Sequence, residues 1–294
     1  MRKILPLLAF IIQMTVNAIP AKADFTYEGI VYSTLTDSTC AVAVYNGISD
    51  AVIIPEKVMG GYENKEYRVT EIGQSAFLGC SSLTSIKIPN SVTTIEWSAF
   101  RGCSSLTSVD IPNSVTTIEI SAFTWCSSLT SVDIPNSVTT IGWSAFSGCS
   151  SLTSVDIPNS VTAIDDYAFN ECSELMYLTI GNSVEEIGEY AFFGCPNLKS
   201  VTSLSVLPPS AYRSTFSPDS YAATLNIPKG TYDLYKQAEC WRWFISTAEF
   251  TDNSILEIPS DADGNITIHN ISGHRLTSPQ RGINIINGKK VLKR

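Results

Sequence analysis

Ile88-Pro89-Asn90-Ser91-Val92-Thr93-Thr94-Ile95, followed by Ser98-Ala99-Phe100 and Gly102-Cys103-Ser104-Ser105-Leu106, recurs almost unchanged along the chain. Its cysteine marks the period: Cys80, Cys103, Cys126, Cys149, Cys172 and Cys195 follow one another at steps of 23 residues. A fixed period of this length signals units that stack, because one unit cannot bury its own apolar side alone. Within a unit, Leu106-x-x-Val109-x-Ile111-Pro112 alternates like a strand, Val109 and Ile111 facing one way and Ser108 and Asp110 the other. Pro112 ends the strand, since it has no N–H to donate. Val115 and Ile118 turn the chain back, and Ser121-Ala122-Phe123 to Cys126 predicts a short helical turn. The expected fold class is an α/β repeat solenoid, strand-rich, with one short strand and one short helical turn per unit, capped at both ends.

Outward from the array, the chain divides as follows. Residues 1–23 read as an export signal: Arg2 and Lys3 precede the apolar run Ile4 to Ile12, and Ala21-Lys22-Ala23 places small residues for cleavage before Asp24. The run is too short for a membrane span of about 20 residues. Residues 24–50 alternate apolar and polar around Gly29 and Thr36-Asp37-Ser38, which predicts an N-terminal β cap. The solenoid takes residues 51–203. Its first unit is opened by a predicted hairpin, because Pro55 to Ile72 spans 17 residues where Pro89 to Ile95 spans 6. Residues 204–245 form a worn repeat, with Phe216 in step, and then a helical cap on Tyr232, Tyr235, Ala238, Trp241 and Phe244. Residues 246–264 read as a polar linker. Residues 265–294 read as a basic β tail, with strands at Ile266 to Ile268, Ile283 to Ile286 and Lys289 to Leu292 and a turn at Asn287-Gly288.

The charge balance narrows the partners. The 294-residue chain carries −9, and residues 1–23 hold three positive charges and no acid, so the remainder carries −12. Nucleic acid is excluded as a general partner, since phosphate binding needs a basic face. Catalysis finds little support. The two histidines, His269 and His274, lie outside the array, and no nucleophile elbow, zinc-protease helix or phosphate loop is present. Six equivalent cysteines offer no distinctive nucleophile. Repeated Asp residues offer no separate acid and base environments. No cofactor and no metal site is expected.

Three columns remain as candidates. Asp110, Asp133 and Asp156 recur on the outward strand face behind Lys87. Like charges in adjacent strands repel, so the column is either solvated or awaits a basic partner or a cation. Trp97 and Trp143 share a column with Gln74, Ile120, Asp166 and Glu189, and Trp125 is close in sequence. These aromatics either pack between turns or anchor a protein or sugar. Arg101 heads a second varying column, continued by Thr124, Ser147, Asn170 and Phe193. The cysteine column forms a line rather than a convergent ligand set. It reads as buried thiols, with disulfides between neighbouring repeats as the alternative.

The unit Leu-x-x-Val-x-Ile-Pro-x-x-Val-x-x-Ile-x-x-x-Ala-Phe-x-x-Cys resembles the BspA-like leucine-rich repeats of bacterial surface proteins. The general leucine-rich pattern places Asn or Cys where this chain has Ser91, Ser114, Ser137, Ser160 and Ser183. The asparagine ladder is thus absent, which leaves part of its work to the cysteine column. The resemblance implies a curved solenoid exported to the outer surface of a Gram-negative bacterium, or secreted. It implies adhesion to an extracellular protein or glycan of a host or neighbouring bacterium; a spacer with no specific ligand on the repeats is the alternative. The tail Ile271-Ser272-Gly273-His274-Arg275, with Gly282 to Val291, is similar to the C-terminal sorting segments of type-nine-secreted proteins. That likeness implies contact with export machinery, against a plain terminal hairpin.

Overall fold

In a computed structural model of the chain, the residues described are 23–45, 47, 49–60 and 65–250, together with the backbone of strands 268–270, 275–276, 282–286 and 289–293. The export signal, the hairpin turn at 61–64 and the Asn287-Gly288 turn lie outside the described residues.

The array is a parallel β-solenoid. Each unit contributes an outward strand, such as Ser108–Asp110, and a second strand of two residues, such as Thr117–Ile118. Within each ladder the strands pair in parallel with their equivalents one period away: Thr117 with Thr94 and Thr140, Ser108 with Ser85 and Ser131. The second strand was not expected. Two residues are too few to show a period, and their pairing is set by the stacking of whole units. The expected helical turn is also replaced. Ala99, Arg101 and Cys103 donate to Glu96, Ser98 and Phe100, three residues back in each case. Ser98 (φ 55) and Gly102 (φ 76) are left-handed, which no α-helix accommodates. The result is a run of tight turns.

The two-residue strands from Thr94–Ile95 to Ser210–Ala211 form one continuous ladder with the N-terminal strands. The outward strands form two ladders: one from Ala51–Ile53 to Ser131–Asp133, the other from Ser154–Asp156 to Ser246–Phe250. At the start, β1 (Ala23–Tyr27), β2 (Ile30–Thr34) and β3 (Thr39–Tyr45) pair antiparallel, and β3 then runs parallel to Lys65–Ile72. Lys57–Gly60 folds back on Lys65–Ile72 as the inserted hairpin.

At the far end the helix is shorter than expected, Tyr232–Gln237, followed by a 3-10 turn at Trp241–Trp243. The apolar step of three is met by two short pieces around buried Tyr235, Trp241 and Phe244. Ser246–Phe250, expected to begin a linker, is instead the strand that ends the second outward ladder, paired in parallel with Thr224–Pro228. It satisfies the backbone groups that Thr224–Pro228 would otherwise leave open. The rest of the linker, 251–264, lies outside the described residues. In the tail, Ile268–Asn270, Arg275–Leu276, Gly282–Ile286 and Lys289–Lys293 form an antiparallel sheet of their own.

Two side-chain ladders hold the core. Phe77, Phe100, Phe123, Phe146, Phe169, Phe192 and Phe216 are buried and stack on one another at 5.0–5.4 Å. Beside them each column thiol from Cys103 to Cys195 donates to the phenylalanine carbonyl one unit back: Cys103 to Phe77 at 3.1 Å, Cys126 to Phe100 at 3.2 Å, Cys149 to Phe123 at 3.3 Å. The cysteines thus meet backbone acceptors that no strand reaches, the work an asparagine ladder does elsewhere. All eight are free thiols, Cys40 and Cys240 included. Burial pushes Cys149 and Cys195 up to about 12. The serine slot contributes too: Ser114 and Ser137 hydroxyls donate to the carbonyls of Val92 and Val115.

Candidate functional site: the turn edge and its terminal cleft

The run of turns forms one edge of the solenoid, and its backbone is locked to the next unit. Ser75, Phe77 and Gly79 N–H groups donate to the carbonyls of Trp97, Ala99 and Arg101 at 3.0, 2.7 and 2.8 Å, and later units repeat this. The side chains at the Trp97 and Arg101 positions therefore stand on a fixed backbone. They point outward: Trp97 is 37% exposed, Trp143 46% and Trp125 54%. The tryptophans are on display rather than buried between turns.

Trp125 occupies a left-handed position (φ 61) that Gly79, Gly102, Gly148 and Gly194 fill in other units. A left-handed residue with a Cβ costs about 1–2 kcal/mol. The ring lies under the Arg101 guanidinium, 5.0 Å from its centroid, and over the Cα of Gly148, where a Cβ would come within 2.2 Å of its Cδ1. Arg101 and Trp125, from adjacent units, thus form one stacked pair.

Further along, the edge becomes an aromatic row. Trp143 meets Tyr167 edge-on at 5.9 Å, Tyr167 stacks on Tyr190 at 5.0 Å, and Tyr190 meets Phe193 edge-on at 5.5 Å. Tyr167 and Tyr190 stand where earlier units have Ser75, Ser98, Ser121 and Ser144. The sequence reading missed them. Their departure from a serine column was the available signal.

A carboxylate row runs beside the aromatics, also unremarked in the sequence. Glu96 is half-buried and raised above the usual carboxylate range by burial, then by Glu71 and Glu119 in neighbouring turns. Burial raises Asp165 likewise, with Asp166, Glu186 and Glu119 adding to it. Acid and aromatic are successive residues, as in Glu96-Trp97, so the two rows run side by side.

The aspartate column is divided. Asp133 pairs in register with Asp110, and Lys87 with Asp110. Asp156 lies across the break between the two outer ladders and pairs in register with Thr179. The ladder that would hold the three carboxylates in register is therefore broken between Asp133 and Asp156. Among the described residues no group of three or more His, Cys, Asp or Glu could hold a metal ion, and no helix is long and apolar enough to cross a membrane.

The edge ends in a cleft of about 670 Å³ lined by residues that include Phe193, Tyr212, Arg213, Tyr221, Glu239 and Trp243. It exists because the worn repeat does not continue the turn edge. Phe216 completes the phenylalanine stack, but the chain then leaves through the 3-10 turn Pro218–Ala222.

A family model for the BspA type leucine-rich repeat region matches in six copies over residues 64–176 and 140–262. The crystal structure of a T. pallidum leucine-rich repeat protein is similar: TM-score 0.63, 27% identity, covering 76% of this chain and 100% of that one. A leucine-rich cell surface protein from Faecalibacterium prausnitzii A2-165 aligns with TM-score 0.50 and 26% identity over 70% of each chain. No curated protein matches. Six matched copies, the 23-residue step and the stacked phenylalanine and cysteine ladders agree, and the chain belongs to the BspA-type leucine-rich repeat family.

Proposed function

We propose that the protein is a non-enzymatic binding protein of the cell surface or surroundings, adhesin-like, engaging an extracellular protein or glycan through its turn edge. The observation that carries this is the outward aromatic row Trp143–Tyr167–Tyr190–Phe193. Packing does not demand these rings, since other units fold with serine at the tyrosine positions. Trp143 and Phe193 are exposed and Tyr167 and Tyr190 half-buried between them; aromatics at the surface of a rigid backbone are the usual anchors of recognition. The carboxylate row beside them favours partners rich in cationic or hydroxyl groups. A surface location is supported by the family and by the cell surface protein from Faecalibacterium prausnitzii. Export machinery acting on the basic tail is part of the same proposal.

The test is a glycan and extracellular-matrix protein array probed with the chain lacking residues 1–23. Tyr167→Ser and Tyr190→Ser, which restore the serine of earlier units, should leave folding intact and cut binding at least tenfold. Unchanged binding of every protein and uncharged-glycan hit by that double variant would overturn the proposal. Silence across the array would favour the spacer reading, which the uniform Ser, Asp and Thr of the outward strands support.

A further inference from the structure

We propose that the cleft at the end of the array binds an anionic saccharide, one bearing a carboxylate or sulfate. This site is separate from the aromatic row, although Phe193 borders both. Its size lies in the range of small-ligand sites, about 300–1,000 Å³. Phe193, Tyr212 and Trp243 are exposed and supply ring surfaces, suited to the C–H faces of a sugar. The charge comes from arginine. Arg213 lines the cleft and stacks on Trp243, 4.5 Å from the ring centroid, and Arg242 lies 5.4 Å from the same centroid. Among the described residues neither guanidinium has a carboxylate within ion-pair distance. A stacked guanidinium keeps its in-plane N–H donors, and their fork matches a carboxylate or sulfate edge. Tyr221 fixes the approach, its hydroxyl donating to the Arg213 carbonyl at 3.0 Å.

The placement of charge agrees. Residues 72–203 hold 3 Lys or Arg against 12 Asp or Glu, whereas residues 204–245 hold 4 against 3. The segment that builds the cleft is thus free of the acidic excess of the array, and screening limits the acids of the array to a range of about 10 Å. Glu239, on the cleft wall, can accept from sugar hydroxyls and opposes a second negative charge nearby.

The experiment titrates the intact chain with trigalacturonate, a chondroitin sulfate tetrasaccharide and neutral cellotriose, reading tryptophan fluorescence and heat. At least one anionic probe should bind about tenfold or more tightly than cellotriose. Arg213→Gln should remove that preference, a charged hydrogen bond being worth about tenfold or more. Glu239→Gln should tighten anionic binding, and Tyr167→Ser with Tyr190→Ser should leave it unchanged. Equal affinity for cellotriose, no binding of either anionic probe at millimolar concentration, or retained preference in folded Arg213→Gln would overturn the proposal. Should Arg213→Gln not fold, weaker anionic binding by Glu239→Gln would overturn it instead. Loss of array binding in the tyrosine variants has no bearing on this site, so the two proposals fail separately.

Discussion

Gly148→Ala should destabilise the protein by more than Gly102→Ala, although both glycines occupy the same place in their units. Both are left-handed, at φ 72 and φ 76, so both alanines incur the same backbone penalty, about 1 kcal/mol or somewhat more. The surroundings differ. At Gly102 the nearest atom to a new Cβ is the Cα of Gly79 at 3.6 Å, an ordinary contact; at Gly148 it is Trp125 Cδ1 at 2.2 Å. The indole must swing away. It then loses its place under Arg101, worth about 0.5–1 kcal/mol at an exposed site, and part of the packing of its inner face. An excess of about 1–2 kcal/mol for Gly148→Ala follows. Urea unfolding followed by far-ultraviolet circular dichroism measures it, with slopes compared so that midpoints report stability. The same substitution in a Trp125→Gly background should show no excess. Equal costs at the two glycines, or an excess that survives without Trp125, would refute the account of Trp125 as seated on Gly148.

The thiols should resist modification in the native protein, with Cys80, the least buried of the eight, reacting first under Ellman's reagent; fast labelling of Cys126 or Cys149 would contradict the ladder. Alkali should also unfold the chain. Burial raises Cys149 and Cys195 from 9.0 to about 12, so the unfolded chain loses these protons first and stability declines as pH rises from about 9 to about 12. Melting curves across that range check it. Glu96→Gln should raise the melting temperature at pH 7, because Glu96 is held above 4.5 by burial and by Glu71 and Glu119. With a raised folded pKa, the charged form weakens the fold above the usual carboxylate range. The gain should vanish near pH 4, and a gain that persists there would point to packing instead of charge.

The core was legible in the sequence because it is repeated. Val92, Ile95, Ala99, Phe100, Cys103 and Leu106 are all buried, and each recurs where stacking requires an apolar group. What repetition hides is local. Thr94–Ile95 carries no alternation, so its ladder emerges only once the units are superposed. Ser98 looks like an ordinary polar residue, and nothing beside it announces φ 55. Tyr167 and Tyr190 replace serine only in the last two units of a column whose four earlier members, Ser75, Ser98, Ser121 and Ser144, carry no ring, so the row they form has no period of its own. The cleft could not be read at all. It is made by what fails to repeat, where Tyr212, Arg213 and Trp243 are brought together from segments with no common spacing.

The cysteine-to-carbonyl bond also bears on how such a chain changes length. Each thiol is met by the unit before it, and each phenylalanine carbonyl by the unit after. A duplicated unit therefore arrives with the partners its neighbours already expect. Adding one lengthens the ladder by about 4.8 Å and leaves no donor orphaned, and deleting one does the reverse. Only the ends resist this exchange: Tyr45, whose ring lies tilted against Phe77, and the cluster of Trp241 and Phe244 around Phe216 have no copies. The interior is thus free to vary in whole steps, and the reach of the turn edge becomes a heritable quantity that changes without any redesign of the core.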